Sequence, residues 1–348
     1  MLVVEDLSLK VGDFTLRDIN FAVERGDYFV VLGPSGVGKS VLLETIAGLL
    51  TPAAGKIFLR GRDITAERIQ QRNMSIVYQD ADLFPHLSVY DNIAYPLRSR
   101  RQSKVGGKVA RAAELTGIAD KLGRKPETLS GGEYQRVALA RSLAADSDIF
   151  LLDEPLSSLD AKSKSELRAL LRKLNRNGIT MVHVTHDYEE AVSLASRIGI
   201  MENGNLVHVA PPEEIFKHPK SEFIAHFVGI KNYFKGMVRS VPGSDLKKFS
   251  SGGMNILCLT DVPEGDAFLM IRPDEISISN TLEAGSSRNK FQGVITVIVP
   301  ARLGLEVMVD VGTEMVVMIS SDALKSLKFE VGKNVWISFK ASSCRVYA

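Results

Sequence analysis

Short apolar runs rich in β-branched residues recur through the first two thirds of the chain, at residues 28–32, 75–78, 149–152, 181–184 and 198–201. Stretches with helical spacing lie between several of them, as at 162–174. Continuous short runs separated by helices predict a largely parallel sheet covered on both faces. The texture changes near residue 230. Strand-like runs at 267–271, 293–299, 307–311, 316–319 and 335–339 are then separated by clusters of Gly, Pro, Asp and Ser, and only 322–327 has helical spacing. That pattern predicts a small all-β domain. The expected organisation is an α/β domain over 1–228 and a β-domain over 229–348.

The β-domain contains an internal echo. Asn232-Tyr-Phe-Lys-Gly236 and Asn289-Lys-Phe-Gln-Gly293 share N-x-F-x-G, 57 residues apart. Each copy ends in an apolar run followed by one cation, Ile271-Arg272 in the first and Phe339-Lys340 in the second. Two related β-units of about 55–60 residues explain the echo.

Composition narrows the function. A chain of 348 residues suits two domains. With 45% hydrophobic and 24% charged residues it can build cores and remain soluble. The net charge of +2, without a long basic run, argues against nucleic acid as a partner. Arg98, Arg100, Arg101 and Lys104 read as a solvated face. The two cysteines, Cys258 and Cys344, have neither disulfide-framework nor metal-site spacing and read as small core residues. The first residues lack the pattern of a signal peptide, and no stretch approaches the 18 or more apolar residues of a spanning helix. The expected location is therefore cytoplasmic, with any membrane role exercised through a partner.

Three segments carry phosphate chemistry. The strand at 28–32 runs into Gly33, Pro34, Ser35, Gly36, Val37, Gly38, Lys39 and Ser40, and an apolar helical pattern follows from Val41. This is G-x-x-x-x-G-K-[ST] in strand–loop–helix context. Its glycines let backbone N–H groups face phosphate oxygens, and the following helix adds its positive end. Lys39 supplies charge for the β- and γ-phosphates, and the Ser40 hydroxyl is placed to ligate Mg²⁺. The run at 149–152 ends in Asp153 and Glu154. Beside a phosphate loop, Asp153 is the candidate metal partner and Glu154 the candidate base for the attacking water. Leu129, Ser130, Gly131, Gly132 and Glu133 open a helical stretch and form a second anion seat. A chain with two phosphate seats and one loop of its own is explained if the second seat serves the nucleotide of another subunit.

These segments resemble the ATPase subunits of ABC transporters, in the family's order and over essentially all of 1–228. Gln79 after the strand at 75–78, Ser158-Leu159-Asp160, and His186 after the strand at 181–185 complete the series. The resemblance implies a phosphate-loop ATPase fold with an inserted helical subdomain at about 80–145. It implies two copies paired head to tail, with ATP between the phosphate loop of one and Ser130, Gly131 and Gly132 of the other. It implies that Gln79 reaches Mg²⁺ and the water, that Asp160 contacts the opposite subunit, and that His186 holds the γ-phosphate. Three positions depart from the family pattern. Val11 stands where an aromatic usually stacks on adenine, with Phe14 as the stand-in. Glu133 replaces the commoner Gln. Val41 stands where Thr is common, so only its backbone N–H serves phosphate.

The segment 83–93, which includes Phe84, Pro85 and Leu87, resembles the part of importer ATPases that docks on integral membrane permease subunits. An external solute-binding protein is then an indirect partner, and the chain is peripheral at the cytoplasmic face. Residues 212–229 resemble the linker to an appended domain of oligonucleotide-fold type. Ser287-Arg288-Asn289, Gly293, and Lys340 with Ser342 and Ser343 resemble a molybdate-binding module. Ser287, Arg288, Lys340, Ser342 and Ser343 supply groups a tetrahedral dianion wants. The implied function is ATP-driven import, with molybdate or tungstate as cargo and feedback by the oxyanion. The alternative is an importer for sugar, sulfate, phosphate or iron with a purely structural β-domain. A repair or translation ATPase of the family would carry a coiled-coil insertion or duplicated motifs. A phosphate-loop kinase or GTPase would have no use for the segment 129–133.

Overall fold

A computed structural model describes residues 1–80, 82–217, 225, 231–282, 285–301 and 304–347. The chain divides into two units, Met1–Lys217 and His218–Ala348. The expected boundary at 228 and 229 lies outside the described residues.

The first unit holds two sheets. β1 (Leu2–Val11) and β2 (Phe14–Val23) form an antiparallel pair, which β4 (Ala54–Leu59) and β5 (Arg62–Asp63) extend to four strands. This sheet adds to the parallel one that the apolar runs predict. Its alternation is broken by register shifts between Val4 and Leu7 and between Leu7 and Leu9. Each shift moves the buried set by one position, so no clean period of two survives in the sequence.

The predicted runs form the second sheet, in the order β10-β9-β3-β8-β7-β6. β3 (Tyr28–Leu32), β6 (Met74–Val77), β7 (Ile149–Asp153), β8 (Thr180–Thr185) and β9 (Arg197–Glu202) run parallel, and β10 (Asn205–Ala210) returns antiparallel at the edge. Every residue of β3, β7 and β8 is buried. Burial of each large apolar side chain there contributes about 1.5–3 kcal/mol relative to exposure. Parallel pairing puts the ends of β3, β7 and β8 on one side of the sheet, where their loops carry the chemistry. Helix α1 (Lys39–Ala47) follows β3, α5 (Ala161–Arg176) follows β7, and α6 (Tyr188–Leu194) follows β8. Between β6 and β7 the chain makes α2 (Val89–Ser99), α3 (Val105–Thr116) and α4 (Gly131–Ala144), which pack on one another. Arg72, 1% exposed, binds the α1 C-terminus: its guanidinium donates to the Thr45 and Ile46 carbonyls at 2.9 and 2.8 Å. A cation there complements the helix dipole.

The second unit consists of two five-stranded antiparallel sheets built on one plan. The first is β13-β12-β11-β14-β20 and the second is β18-β17-β16-β19-β15. β11 (Asn232–Ser240), β12 (Lys247–Ser251), β13 (Met254–Cys258) and β14 (Gly265–Ile271) correspond to β16 (Asn289–Ala301), β17 (Gly304–Asp310), β18 (Glu314–Ile319) and β19 (Asn334–Phe339). The fifth strands are exchanged. β15 (Ser277–Ser279) leaves the first half to pair with β19, and β20 (Arg345–Tyr347) leaves the second to pair with β14.

The N-x-F-x-G echo now has a physical meaning. Asn232 opens β11 opposite Ile271, and Asn289 opens β16 opposite Phe339. The Asn232 amide donates to the Val316 carbonyl at 2.7 Å and accepts from the Val316 N–H at 2.6 Å. Asn289 does the same to Leu257, at 2.8 and 2.7 Å. Each asparagine thus acts as a one-residue partner strand for the outermost strand of the other half's sheet. Otherwise those backbone groups would be left without partners, at about 1–3 kcal/mol each. The glycines let strands approach: a Cβ at Gly236 would collide with the Ser250 carbonyl, and one at Gly293 with that of Asp310.

Candidate active site and anion seat

The phosphate loop curls because Gly36 and Gly38 take φ of +84° and +96°. At Gly38 a side chain is also excluded by space, since a Cβ would collide with the Phe14 ring. Lys39 is 5% exposed and folds back over the loop, donating to the Gly33 carbonyl at 2.9 Å and the Pro34 carbonyl at 2.8 Å. Burial pulls its ammonium below the ordinary lysine pKa, and Glu154 and Asp153 oppose that. A cleft of about 370 Å³ is lined by Val11, Phe14, Ser35, Gly36, Gly38, Lys39, Ser40, Val41 and Glu154. It therefore places both predicted adenine-side residues, Val11 and Phe14, beside the phosphate loop. Ser130, Gly131 and Gly132 are not among its lining residues.

Two carboxylates close the floor. Asp153 ends β7 and accepts from the Ser40 hydroxyl at 3.0 Å. Burial pushes its carboxyl above the ordinary range against the pull of that hydrogen bond. Glu154 follows with φ of +45°, a left-handed conformation that costs a non-glycine residue about 1–3 kcal/mol. The turn aims its carboxylate two ways. Oε1 lies 3.8 Å from Lys39 Nζ, and Oε2 lies 3.0 Å from His186 Nδ1. Lys39, Ser40, Asp153, Glu154 and His186 are thus brought together. The adjacent hydroxyl and carboxylate of Ser40 and Asp153 suit a hard, oxygen-seeking cation. Among the described residues no cluster of three His, Cys, Asp or Glu could hold a metal alone. An ion here would therefore be completed by phosphate oxygens, as Mg²⁺ favours.

Gln79 is exposed just past β6, and its carbonyl accepts from Gln135 Nε2 at 2.5 Å. Gln135 lies on α4, so the helix that begins at Ser130 holds the Gln79 backbone. Ser130 caps α4, accepting from the Glu133 N–H at 3.4 Å while the Glu133 carboxylate accepts from the Ser130 N–H at 2.9 Å. This reciprocal box explains why glutamate serves at 133. Gly131 and Gly132 lie against Leu159 and Ser163. Asp160 caps α5, accepting from the Lys162 and Ser163 N–H groups at 3.0 and 3.1 Å. The segment 129–133 and Asp160 therefore share a neighbourhood outside the cleft.

Four residues behind this site escaped the sequence reading: Tyr28, His183, Thr185 and Glu190. All are buried, and they form a polar chain beneath His186. Their only local signal was the Asp187–Glu190 spacing of a helix cap.

In the helical segment, Phe84 is half-buried. Its ring lies 4.5 Å from that of Tyr95, and the Arg141 guanidinium stands 5.8 Å from its centroid. Tyr95 is 49% exposed, so the aromatic pair presents one open face.

In the second unit, Ser287, Arg288, Lys340, Ser342 and Ser343 gather at one end of the β16–β19 pair. Arg288 and Lys340 flank the terminal pair Asn289–Phe339. Lys340, Ser342 and Ser343 share a turn in which the Ser343 N–H donates to the Lys340 carbonyl at 3.1 Å. The matching end of the first half differs in charge. Lys231, which matches Arg288, pairs with Glu306 at 2.5 Å. Arg272, which matches Lys340, makes a bidentate pair with Asp274, both contacts at 3.0 Å. Ser342 and Ser343 stand where the first half has Asp274 and Glu275. Among the described residues neither Arg288 nor Lys340 has a carboxylate partner.

A family model described as "ABC transporter" matches residues 16–157, and one described as "TOBE domain" matches residues 285–346. The molybdate/tungstate import ATP-binding protein WtpC of Pyrococcus abyssi is 40% identical over 100% of both chains. The sulfate/thiosulfate import ATP-binding protein CysA 2 of Chromobacterium violaceum is 40% identical over 85% of this chain and 82% of its own. Among solved structures, cbiO1 from Clostridium perfringens, part of the ABC transporter complex cbiONQ, matches with a TM-score of 0.58 and 31% identity. That match covers 62% of this chain and 90% of the other.

Proposed function

This chain belongs to the ABC transporter family as an import ATP-binding subunit, and from that premise we propose that the ATP it hydrolyses drives uptake of molybdate or tungstate. The observation that carries the cargo reading is the charge difference between the halves of the second unit. Two cations that have no carboxylate partner among the described residues, beside serines in place of acidic residues, suit a tetrahedral dianion. The similarity to a molybdate/tungstate import subunit extends over the whole chain, including this end. Ser287, Arg288, Lys340, Ser342 and Ser343 form the seat, and oxyanion bound there feeds back on ATP turnover. The second reading is import of sulfate, an anion of the same shape and charge, favoured by the equal identity to a sulfate/thiosulfate subunit.

At the nucleotide, the phosphate loop and Lys39 hold the phosphates, and Phe14 with Val11 bounds the adenine. Mg²⁺, held by Ser40, Asp153 and Gln79, would neutralise phosphate charge. Glu154 takes the proton of the attacking water, and His186 holds the γ-phosphate, the two side chains already lying within hydrogen-bond distance. Ser130, Gly131 and Gly132 lie outside the cleft and seat the nucleotide of a second copy, with Asp160 at the same contact. Among the described residues no helix is long and apolar enough to cross a membrane. The chain acts peripherally, at the cytoplasmic face, on integral permease subunits. The aromatic face of Phe84 and Tyr95 is the docking surface, and an external solute-binding protein delivers the cargo.

The test is an oxyanion titration of the full chain followed by the fluorescence of Trp336, its only tryptophan, on the β19 strand that leads to Lys340. Molybdate and tungstate should give a saturable change that sulfate does not. A response to sulfate alone selects the second reading. No response to any of them, confirmed by calorimetry, removes the seat.

A further inference from the structure

Behind the cleft lies a buried polar chain that the phosphate chemistry does not touch. Glu190 on α6 is 3% exposed, His183 is fully buried, and Thr185 is 2% exposed. A carboxylate at that depth is destabilising unless hydrogen bonds replace its water. The Thr185 hydroxyl donates to its Oε2 at 2.8 Å. The same oxygen lies 3.5 Å from His183 Nε2, and His183 Nδ1 lies 3.0 Å from the Tyr28 hydroxyl.

Thr185 is the hub of this arrangement. Its carbonyl accepts from the Gly33 N–H, the first amide of the phosphate loop, at 3.4 Å. Its hydroxyl accepts from the Asp187 N–H at 3.0 Å while donating to Glu190. Asp187 in turn caps α6, accepting from the Glu190 N–H at 3.1 Å. His186 therefore sits between two residues tied to Glu190, Thr185 through its carboxylate and Asp187 through its backbone N–H. The imidazole itself is 49% exposed and, among the described residues, has Glu154 as its ion-pair partner. An exposed ring on a fixed base can meet a phosphate without reorganising the loop beneath it.

We propose that Thr185 and Glu190 are a positioning pair that fixes the His186 loop against the phosphate loop, setting the rate of ATP hydrolysis without contacting nucleotide. The inference rests on the role given above to His186. Removing the hydroxyl frees the loop but leaves the phosphate loop's own donors in place, so turnover should fall while nucleotide binding persists.

The test is steady-state ATP hydrolysis by the full chain carrying Thr185→Val, Thr185→Ser or His186→Ala, and the Thr185→Val/His186→Ala double. Thr185→Val should lower kcat about tenfold with KM for ATP unchanged within about twofold, and Thr185→Ser should recover most of the loss. In the His186→Ala background, Thr185→Val should have no further effect, because residues that act through one another are not additive. Multiplicative effects in the double variant, or a Thr185→Val loss carried in KM, would overturn the proposal. A fully active His186→Ala would instead overturn the role of His186. Should Thr185→Val fail to fold, Glu190→Leu serves, since it removes the buried carboxylate and with it the acceptor of the Thr185 hydroxyl. It should lower kcat with KM kept, and equal kcat in that variant would overturn the proposal.

Discussion

The two anion seats proposed for this chain are built in opposite ways. In the first unit the positive charge is internal: Lys39 is buried, bonded to two carbonyls of its own loop and faced by Glu154. The backbone presents donors, and the acidic side chains stand ready to work on whatever the donors hold. In the second unit the charge is external: Arg288 and Lys340 are exposed at a strand end and, among the described residues, free of carboxylates. The first arrangement is preorganised for chemistry. The second has side-chain cations in water, where salt screens them, and is suited to reversible binding.

The sharpest way to break this comparison is to take away the proposed base. Glu154→Gln should lower ATP turnover by about 10³-fold or more while ATP still binds, because proton transfer is lost and the phosphate donors are not. Hydrolysis near the parental rate would remove Glu154 from the role of base.

A smaller effect is expected where the halves of the second unit are alike. Asn232→Ala and Asn289→Ala should each cost about 2–4 kcal/mol of that unit's stability, measured by denaturant unfolding, because each leaves an N–H and a C=O of an outer strand unpaired. Costs differing by more than about 2 kcal/mol would show that the clamps are not equivalent.

The smallest effect should fall where the halves differ. Ser342→Asp installs the carboxylate that neutralises Arg272 in the first half. It should weaken oxyanion binding about threefold to fivefold and leave ATP turnover without oxyanion unchanged, since one added charge at an exposed site is worth about 1 kcal/mol or less. Undiminished binding would place the seat elsewhere.

The motifs proposed for the nucleotide site were legible because phosphate chemistry demands fixed residue types at fixed spacing, and the phosphate loop, Gln79, Asp153 with Glu154, and His186 lie at strand ends that apolar runs announce. The antiparallel sheet of β1 and β2 was not legible, because its register shifts erase alternation. The echo was visible as a pattern, but its meaning was not. Asn232 acts on Val316 and Asn289 on Leu257, 84 and 32 residues away, and no local preference encodes such a reach. The exchanged strands β15 and β20 are three residues each, too short for a periodic signal. His183 and Glu190 read as an ordinary strand residue and an ordinary helix residue until their burial is seen.

The strand exchange also sets an order on biosynthesis. A chain emerging from the ribosome presents β11, β12, β13 and β14 well before β20, which is needed at the edge of that same sheet. The first half must therefore wait with β13 lacking its asparagine until Asn289 emerges, and with the outer edge of β14 uncovered until β20 does. Its early strands are then a natural client for whatever shields nascent chains, and a stall between residues 339 and 345 would release a domain whose second sheet has all its strands while the first is still open at β14.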